Sequence, residues 1–389
     1  MGYTENCLPR ALASLGHDVH VLTSTYNVYG NTDGYERAYG AFLGPAVTAA
    51  GSYDSDGYRV HRRRSTLVAG YVRITGLSRA ILRLAPDVVH SLEIASIQTW
   101  ELAALKPLAN FHLFCETHQH LSVVKPYLLQ SSGAILRKAA FALSRTLPTY
   151  MASHAVRRCY AIAPDCVEVA HRFYGVPSAK LRMQSLGSDT DLFHPTRDES
   201  ERRARAKLRE QCGFSPDDVV CIYTGRFTVD KNPLLLAQAV DALAARGRTF
   251  VSCFVGDGPQ RAAIAASPSA HLFPFMRHAE LAEFYRVADI AVWPRQESMS
   301  MLDAASAGLP VVASDAMGES ERVVGNGRTY AENDVVDLVR ALDSLRECEV
   351  RKSLGDAGRA KMLARFSWRR VAETVASDYA DAVNGVASR

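Results

Sequence analysis

The chain has 389 residues, 48% of them hydrophobic, and a formal net charge of +4. Such a chain is long and apolar enough for two ordinary globular domains, and no apolar run reaches the roughly 18 residues of a membrane-spanning helix. The charge is uneven: residues 1–190 hold 19 Lys+Arg against 13 Asp+Glu (+6), which leaves 26 against 28 (−2) for residues 191–389. A basic first half suits an anionic lipid surface or an anionic acceptor. Nucleic acid is not the expected partner, because no basic run is interleaved with stacking aromatics. The eight cysteines are scattered without a CxxC pair. They read as free thiols of a cytoplasmic protein, with no metal site.

In chain order, a Gly2-containing loop leads to a helix over 5–15, which Gly16 ends, and a strand over 19–22. A doubly wound domain should place a strand before such a loop. That strand, normally central, is missing, so native residues are expected upstream of Met1. Residues 25–56 read as a long loop. A strand over 58–61 precedes Arg62-Arg63-Arg64, taken as a solvated turn. A helix over 72–84, a strand over 88–90 and a helix over 97–105 follow. A buried strand over 111–115 carries the loop Glu116-Thr117-His118-Gln119-His120 at its carboxyl end. Helices over 133–158 space apolar residues at Ile135, Leu136, Ala139 and Leu143. Arg137, Lys138, Arg145, Arg157 and Arg158 decorate them. A basic amphipathic helix either covers a sheet or lies on a membrane. A strand over 160–163, a helix over 164–174 and a strand over 181–186 close this half.

The charge-dense stretch 197–209 reads as an interdomain linker with a solvated helix. From Val219 the strand–helix rhythm restarts. Strands fall over 220–223, 250–255, 271–273, 290–293 and 311–313, and helices over 234–245, 281–287 and 300–307. Alternation of this kind implies parallel sheets covered by helices.

Four short stretches stand out, and all but the 256–259 turn are read as carrying chemistry. In ADIAVWPRQESMSMLDAASAGLPVVAS (288–314) a polar loop joins a strand to a helix N-terminus. Ligands of open α/β sheets bind there, and free N–H groups attract phosphate. Glu297 and Asp303 bracket that loop with carboxylates suited to sugar hydroxyls. In GRFTVDKN, Arg226 follows a strand and Lys231 nears a helix start, two cations able to neutralise a diphosphate. Gly256-Asp257-Gly258-Pro259 is a tight turn after a strand. On the strand-end loop of the first half, His118 is the candidate donor contact and His120 the weaker one. No third ligand is visible in the sequence for either, so neither is read as binding metal.

Together these strings resemble the retaining glycosyltransferases of family 4. The resemblance rests on LGHDVHVLTS (15–24), ETHQH (116–120), YGVPSAKLRMQSLGSDTDLFHP (174–195), GRFTVDKN (225–232), VGDGP (255–259) and FSWRRVAETVASDYADAV (366–383). It implies an α/β GT-B fold of two Rossmann-like, doubly wound domains facing a cleft. The N-terminal acceptor domain would be 1–190 and the donor domain 191–368, with a helix over 369–389 crossing back. Arg226 and Lys231 match the pair that binds the donor diphosphate. The loop Glu297, Ser298, Met299, Ser300, Met301 and Leu302 matches the backbone that approaches sugar and phosphate. Asp303 stands where the family has a ribose-binding glutamate, His118 matches the histidine near the donor sugar, and Gly2 lies in the first loop near donor and acceptor. The family's two glutamates are separated by seven residues. Here Glu297 and Asp303 have five between them, and Arg295 holds the strict position.

The expected activity is metal-independent retaining transfer from a UDP- or GDP-sugar to a glycan, lipid or small-molecule hydroxyl. The nucleotide sugar is a co-substrate and no cofactor is expected. His118, Arg226, Lys231 and Glu297 are the expected catalytic residues. A cell-envelope role with peripheral membrane contact at the cytoplasmic face fits the basic first half. A sugar-nucleotide epimerase and a non-catalytic sugar-nucleotide-binding protein are the alternatives.

Overall fold

The computed structural model describes residues 4–28, 30–32, 35–36, 40, 43–68, 70–121, 124, 134–317 and 320–385. The chain forms two compact units. Of the described residues, those from Thr4 to Leu186 and from Val371 onward make the N-terminal unit, and Gly187–Arg370 makes the C-terminal unit.

In the N-terminal unit the helix Thr4–Ser14 buries Cys7, Leu8 and Leu12. Strands β1 (His20–Ser24), β2 (Gly51–Ser55) and β3 (Tyr58–Arg63) form one sheet in the order β1-β3-β2. Strand β2 lies inside the stretch expected to be a loop, paired antiparallel to β3. Arg62 and Arg63 are not in a turn but in β3, in register with Thr23 and Ser24 of β1. Neighbouring strands on both sides extend β3 beyond its apolar core. A hairpin follows, β4 (Ser65–Val68) with β5 (Tyr71–Ile74). The helix expected from residue 72 therefore starts only at Leu77, after Gly76 in a left-handed conformation.

Strands β6 (Val88–Ser91), β7 (His112–Thr117), β8 (Val156–Ala161) and β9 (Leu181–Met183) form a parallel sheet in chain order. Among the described residues no strand joins β1 to β6. Strand β8 begins earlier than expected, so Arg157 and Arg158 lie on a strand rather than a helix. The C-terminal helix Trp368–Val383 brings Asp378 to this sheet. There it accepts from the Tyr160 hydroxyl (2.7 Å) and from Arg182 (3.0 Å), with Arg158 at 3.5 Å. Its Tyr379 packs edge-on against Phe114.

In the C-terminal unit six parallel strands run in the order β12-β11-β10-β13-β14-β15. They are β10 (Val219–Thr224), β11 (Phe250–Val255), β12 (Ala270–Phe273), β13 (Ile290–Trp293), β14 (Val311–Ser314) and β15 (Gly327–Tyr330). Strands β10, β13 and β14 are buried along their whole length, as central parallel strands covered on both faces must be. This is the doubly wound order, and its switch point lies between β10 and β13. The Trp293 indole N–H donates to the Thr224 carbonyl across that junction (3.3 Å).

The charged helix Glu199–Gln211, capped by Asp198, is exposed over most of its length, as expected, but docks through Leu208 and Arg209. Buried Arg209 donates to the carbonyls of Val287 (2.8 Å) and Asp218 (2.6 Å) and pairs with Asp289 (3.0 Å). A guanidinium has five donors, and here folding supplies acceptors that composition does not reveal.

Candidate active site

The carboxyl end of β10 opens into Gly225 and Arg226 at the switch point. Three backbone bonds fix this turn: Gly225 N–H to the Val255 carbonyl (3.0 Å), Phe227 N–H to Asp257 (2.8 Å) and Gln260 N–H to Phe227 (2.9 Å). The Phe227 ring is buried, and the Tyr223 hydroxyl donates to the Arg226 carbonyl (2.9 Å). The glycines of the 256–259 turn serve this contact. A Cβ at Gly256, whose φ is +149°, would stand 1.9 Å from the Gly225 oxygen, and one at Gly258 would stand 2.7 Å from the Phe227 oxygen. That turn is thus a buttress for the arginine loop.

Arg226 is exposed and Lys231 is half-buried. Burial, and then the neighbouring Arg226 charge, push the Lys231 ammonium below its usual range. Among the described residues neither cation forms an ion pair. The exposed Asp230 carboxylate lies within electrostatic reach of both, and two cations against one carboxylate leave net positive charge for an anion.

The loop after β13 is more closed than the sequence implies. Glu297 is exposed and stands 3.7 Å from Arg322, whose side chain is largely buried and also donates to the Ser298 carbonyl (2.9 Å). Arg295 pairs with Glu332 (3.2 Å). The N–H groups expected to be free are used locally. Ser300 N–H donates to Ser298 Oγ (3.3 Å), Met301 N–H to the Ser298 carbonyl (3.1 Å) and Leu302 N–H to the Met299 carbonyl (3.0 Å). The side chains of Met301 and Leu302 are core, and Met299 packs against it. Asp303 is nearly buried. One oxygen accepts from Ser188 Oγ (2.7 Å) and the other stands 3.4 Å from His278 Nε2. Ser188, His278 and Arg322 were not singled out in the sequence. Only Ser188 carried a signal, lying within the string 174–195.

His118 belongs to the N-terminal unit. Its Nε2 stands 2.6 Å from Glu116, and its backbone N–H donates to Glu93 (3.1 Å). His90 Nε2 lies 3.3 Å from the other Glu116 oxygen, and His90 Nδ1 bonds the Tyr379 hydroxyl. Burial alone would raise the Glu116 carboxyl, but hydrogen bonds from His118 and His90 hold it down to about 2. Burial opposes a charge on His118 as well, yet the Glu116 hydrogen bond leaves its imidazole above the usual range. Burial raises the Glu93 carboxyl. His120 has the partners that its sequence neighbourhood lacks: Asp165 and Cys166 stand beside it. Gly2 lies outside the described residues.

The C-terminal unit is doubly wound, with two cations at its switch point, and the N-terminal unit carries a parallel sheet of its own; two α/β units of this kind define the class of architecture. Comparison with known proteins identifies the class more closely. A model described as "Glycosyl transferase 4-like domain" matches residues 7–187, and one described as "Glycosyl transferases group 1" matches residues 218–347. The chain is 30% identical over 233 residues to a D-inositol 3-phosphate glycosyltransferase of Xylanimonas cellulosilytica, covering 54% of each chain. It is 25% identical over 306 residues to the sulfoquinovosyl transferase SQD2 of Arabidopsis thaliana, covering 74% of this chain and 55% of that one. These matches span between half and two thirds of the curated relatives' length. HepE of Anabaena, solved in complex with UDP, superposes with a TM-score of 0.65 at 14% identity, covering 93% of this chain and 100% of that one. The chain belongs to the group 1, family 4-type glycosyltransferases, and its fold is GT-B.

Proposed function

We propose that this protein is a retaining glycosyltransferase that moves a sugar from a UDP- or GDP-sugar to an acceptor hydroxyl of a glycan or lipid, with no metal at the diphosphate. The observation that carries this reading is the pair Arg226 and Lys231 at the switch point, neither of them in an ion pair among the described residues and together outnumbering the nearby Asp230. The leaving diphosphate gains charge as its bond to the sugar breaks. Removing a preorganised cation there costs about 10²–10³ in rate. In a front-face displacement the acceptor oxygen bonds the anomeric carbon on the side from which the phosphate departs. The departing phosphate takes the acceptor proton. On this reading Glu297 exchanges Arg322 for sugar hydroxyls, Asp303 exchanges His278 for ribose hydroxyls, and the 298–302 backbone opens to meet the diphosphate. His118 supplies a polar contact to the sugar. Relatives named for glycosyl and sulfoquinovosyl transfer support a transferase, and UDP bound to HepE supports a nucleotide donor.

The test is calorimetric titration with UDP, GDP and ADP, with chelator present, on wild type and Lys231→Ala. Selective binding that weakens at least tenfold in the variant is the expected result. Unchanged binding would remove Lys231 from the site.

A lipid acceptor or membrane contact is favoured by the helical stretch from Ala134 to Ala155. Ile135, Leu136, Leu143 and Met151 expose between 65% and 84% of their surface there. No helix among the described residues is long and apolar enough to cross a membrane, so contact would be peripheral, and we place it at the cytoplasmic face. The second reading, a sugar-nucleotide-binding protein without transfer, is favoured by the engagement of Glu297 and Asp303 with protein partners. Nucleotide-sugar binding without transfer to any acceptor would select it.

A further inference from the structure

His120 follows β7, while Asp165 and Cys166 open the helix Pro164–Glu168, which follows β8. Strands β7 and β8 are parallel neighbours, so both segments leave the same edge of the sheet. His120 Nδ1 lies 3.0 and 3.1 Å from the two Asp165 oxygens and 3.9 Å from Cys166 Sγ. Ligand atoms of the three residues all lie within 4.8 Å of one another. Both contacts converge on one ring nitrogen. A neutral imidazole nitrogen either donates or accepts. Nδ1 therefore serves the carboxylate as a donor or the thiol as an acceptor, and the thiol is also within hydrogen-bond reach of the same carboxylate, so nitrogen, oxygen and sulfur all converge on one point. A Cys–His–Asp relay is excluded, because it needs the carboxylate and the sulfur on opposite ring nitrogens.

A cation between the three atoms satisfies nitrogen, oxygen and sulfur together. With zinc bonds of about 2.0–2.3 Å, tetrahedral ligand atoms stand roughly 3.3–3.8 Å apart, between the separations found here. The surroundings fit. Cys166 is fully buried, while His120 is about half exposed and leaves a side open to solvent. The Leu121 N–H donates to the Asp165 oxygen nearest His120 Nδ1 (3.1 Å) and holds the carboxylate in place, as outer partners of ligands do. We propose that His120, Asp165 and Cys166 bind one divalent transition-metal cation, with zinc as the best match to an N, O, S donor set. On binding, the Cys166 thiol proton leaves to solvent and a sulfur–metal bond forms, with no change of oxidation state. The cation clamps the segment after β7, which also carries His118, to the helix after β8. None of the diphosphate residues proposed above takes part.

The test uses full-length, chelator-treated protein carrying Cys348→Ser, which removes the exposed thiol. Titration with Co²⁺ should show one equivalent bound, a thiolate-to-cobalt charge-transfer band in the near ultraviolet, and displacement by Zn²⁺. His120→Gln, at a half-exposed ring, should weaken binding at least about tenfold with the circular dichroism spectrum retained. Cys166→Ala should abolish the charge-transfer band. Binding without that band, binding indifferent to His120→Gln, or no binding at micromolar Co²⁺ would overturn the proposal. These readouts need neither nucleotide nor acceptor, so they stand or fall apart from glycosyl transfer.

Discussion

Glu116 shows how little a residue type says before its neighbours are known. The string ETHQH marks a strand-end loop, but the strand runs on through Thr117 and turns Glu116 inward between His90 and His118. Its carboxyl falls from an ordinary 4.5 to about 2 in the folded protein. A depressed carboxyl contributes stability that is present above its unfolded value and lost as pH falls through the folded one. Glu116→Gln should therefore lower the melting temperature at neutral pH. The gap to wild type should narrow as pH falls from about 4.5 towards 2. A gap independent of pH would contradict the ion-pair account. His118 could be selected from sequence because it sits just past a strand end, and Lys231 because it nears a helix start. His278 and Arg322 could not, since each reaches the 297–303 segment from another element, and Ser188, although inside the string 174–195, meets Asp303 from 115 residues away.

Elements were legible where burial alone decides them. Runs such as 219–224 and 290–293 are short, apolar and closed by Gly or Pro, and they became strands of the C-terminal sheet. Strand β2, with the sequence GSYDS, has no such pattern and is mostly exposed. Pairing with β3 makes it a strand, which is the general case for strand propensity. The turn at 256–259 was legible as a turn, but its role as a support for Arg226 is a matter of backbone approach. Gly256→Ala would drive a methyl into the Gly225 carbonyl. It should cost about 1–3 kcal/mol in urea denaturation and weaken nucleotide binding with it. Loss of stability without loss of binding would separate the turn from the site.

For the whole molecule, the C-terminal helix is the connection that matters most to the N-terminal unit. Asp378 is the acceptor shared by Tyr160, Arg182 and Arg158. Asp378→Ala leaves two guanidinium groups facing a vacancy, a change that costs about 3–5 kcal/mol when the pair is buried. We expect the N-terminal unit to melt earlier, while UDP affinity measured below that transition is kept, because Arg226 and Lys231 belong to the other unit. A parallel loss of UDP binding would show the two units to be one cooperative body. At the same scale, Leu136→Glu with Leu143→Glu should reduce cosedimentation with anionic vesicles severalfold. Unchanged cosedimentation would leave the exposed leucines without a membrane role.

By itself the sequence determined the alternation of strand and helix, the family, and the two cations at the switch point. All three follow from local patterns: apolar runs, Gly and Pro breaks, and short strings of fixed spacing. Only the tertiary structure decided what the acids and histidines do. It sealed Asp303 between Ser188 and His278, paired Glu297 with Arg322, buried Arg209 against Asp289 and set Asp165 and Cys166 beside His120. The reason is physical. A polar side chain is defined by the partner that satisfies it, and here those partners come from elements far apart in the chain.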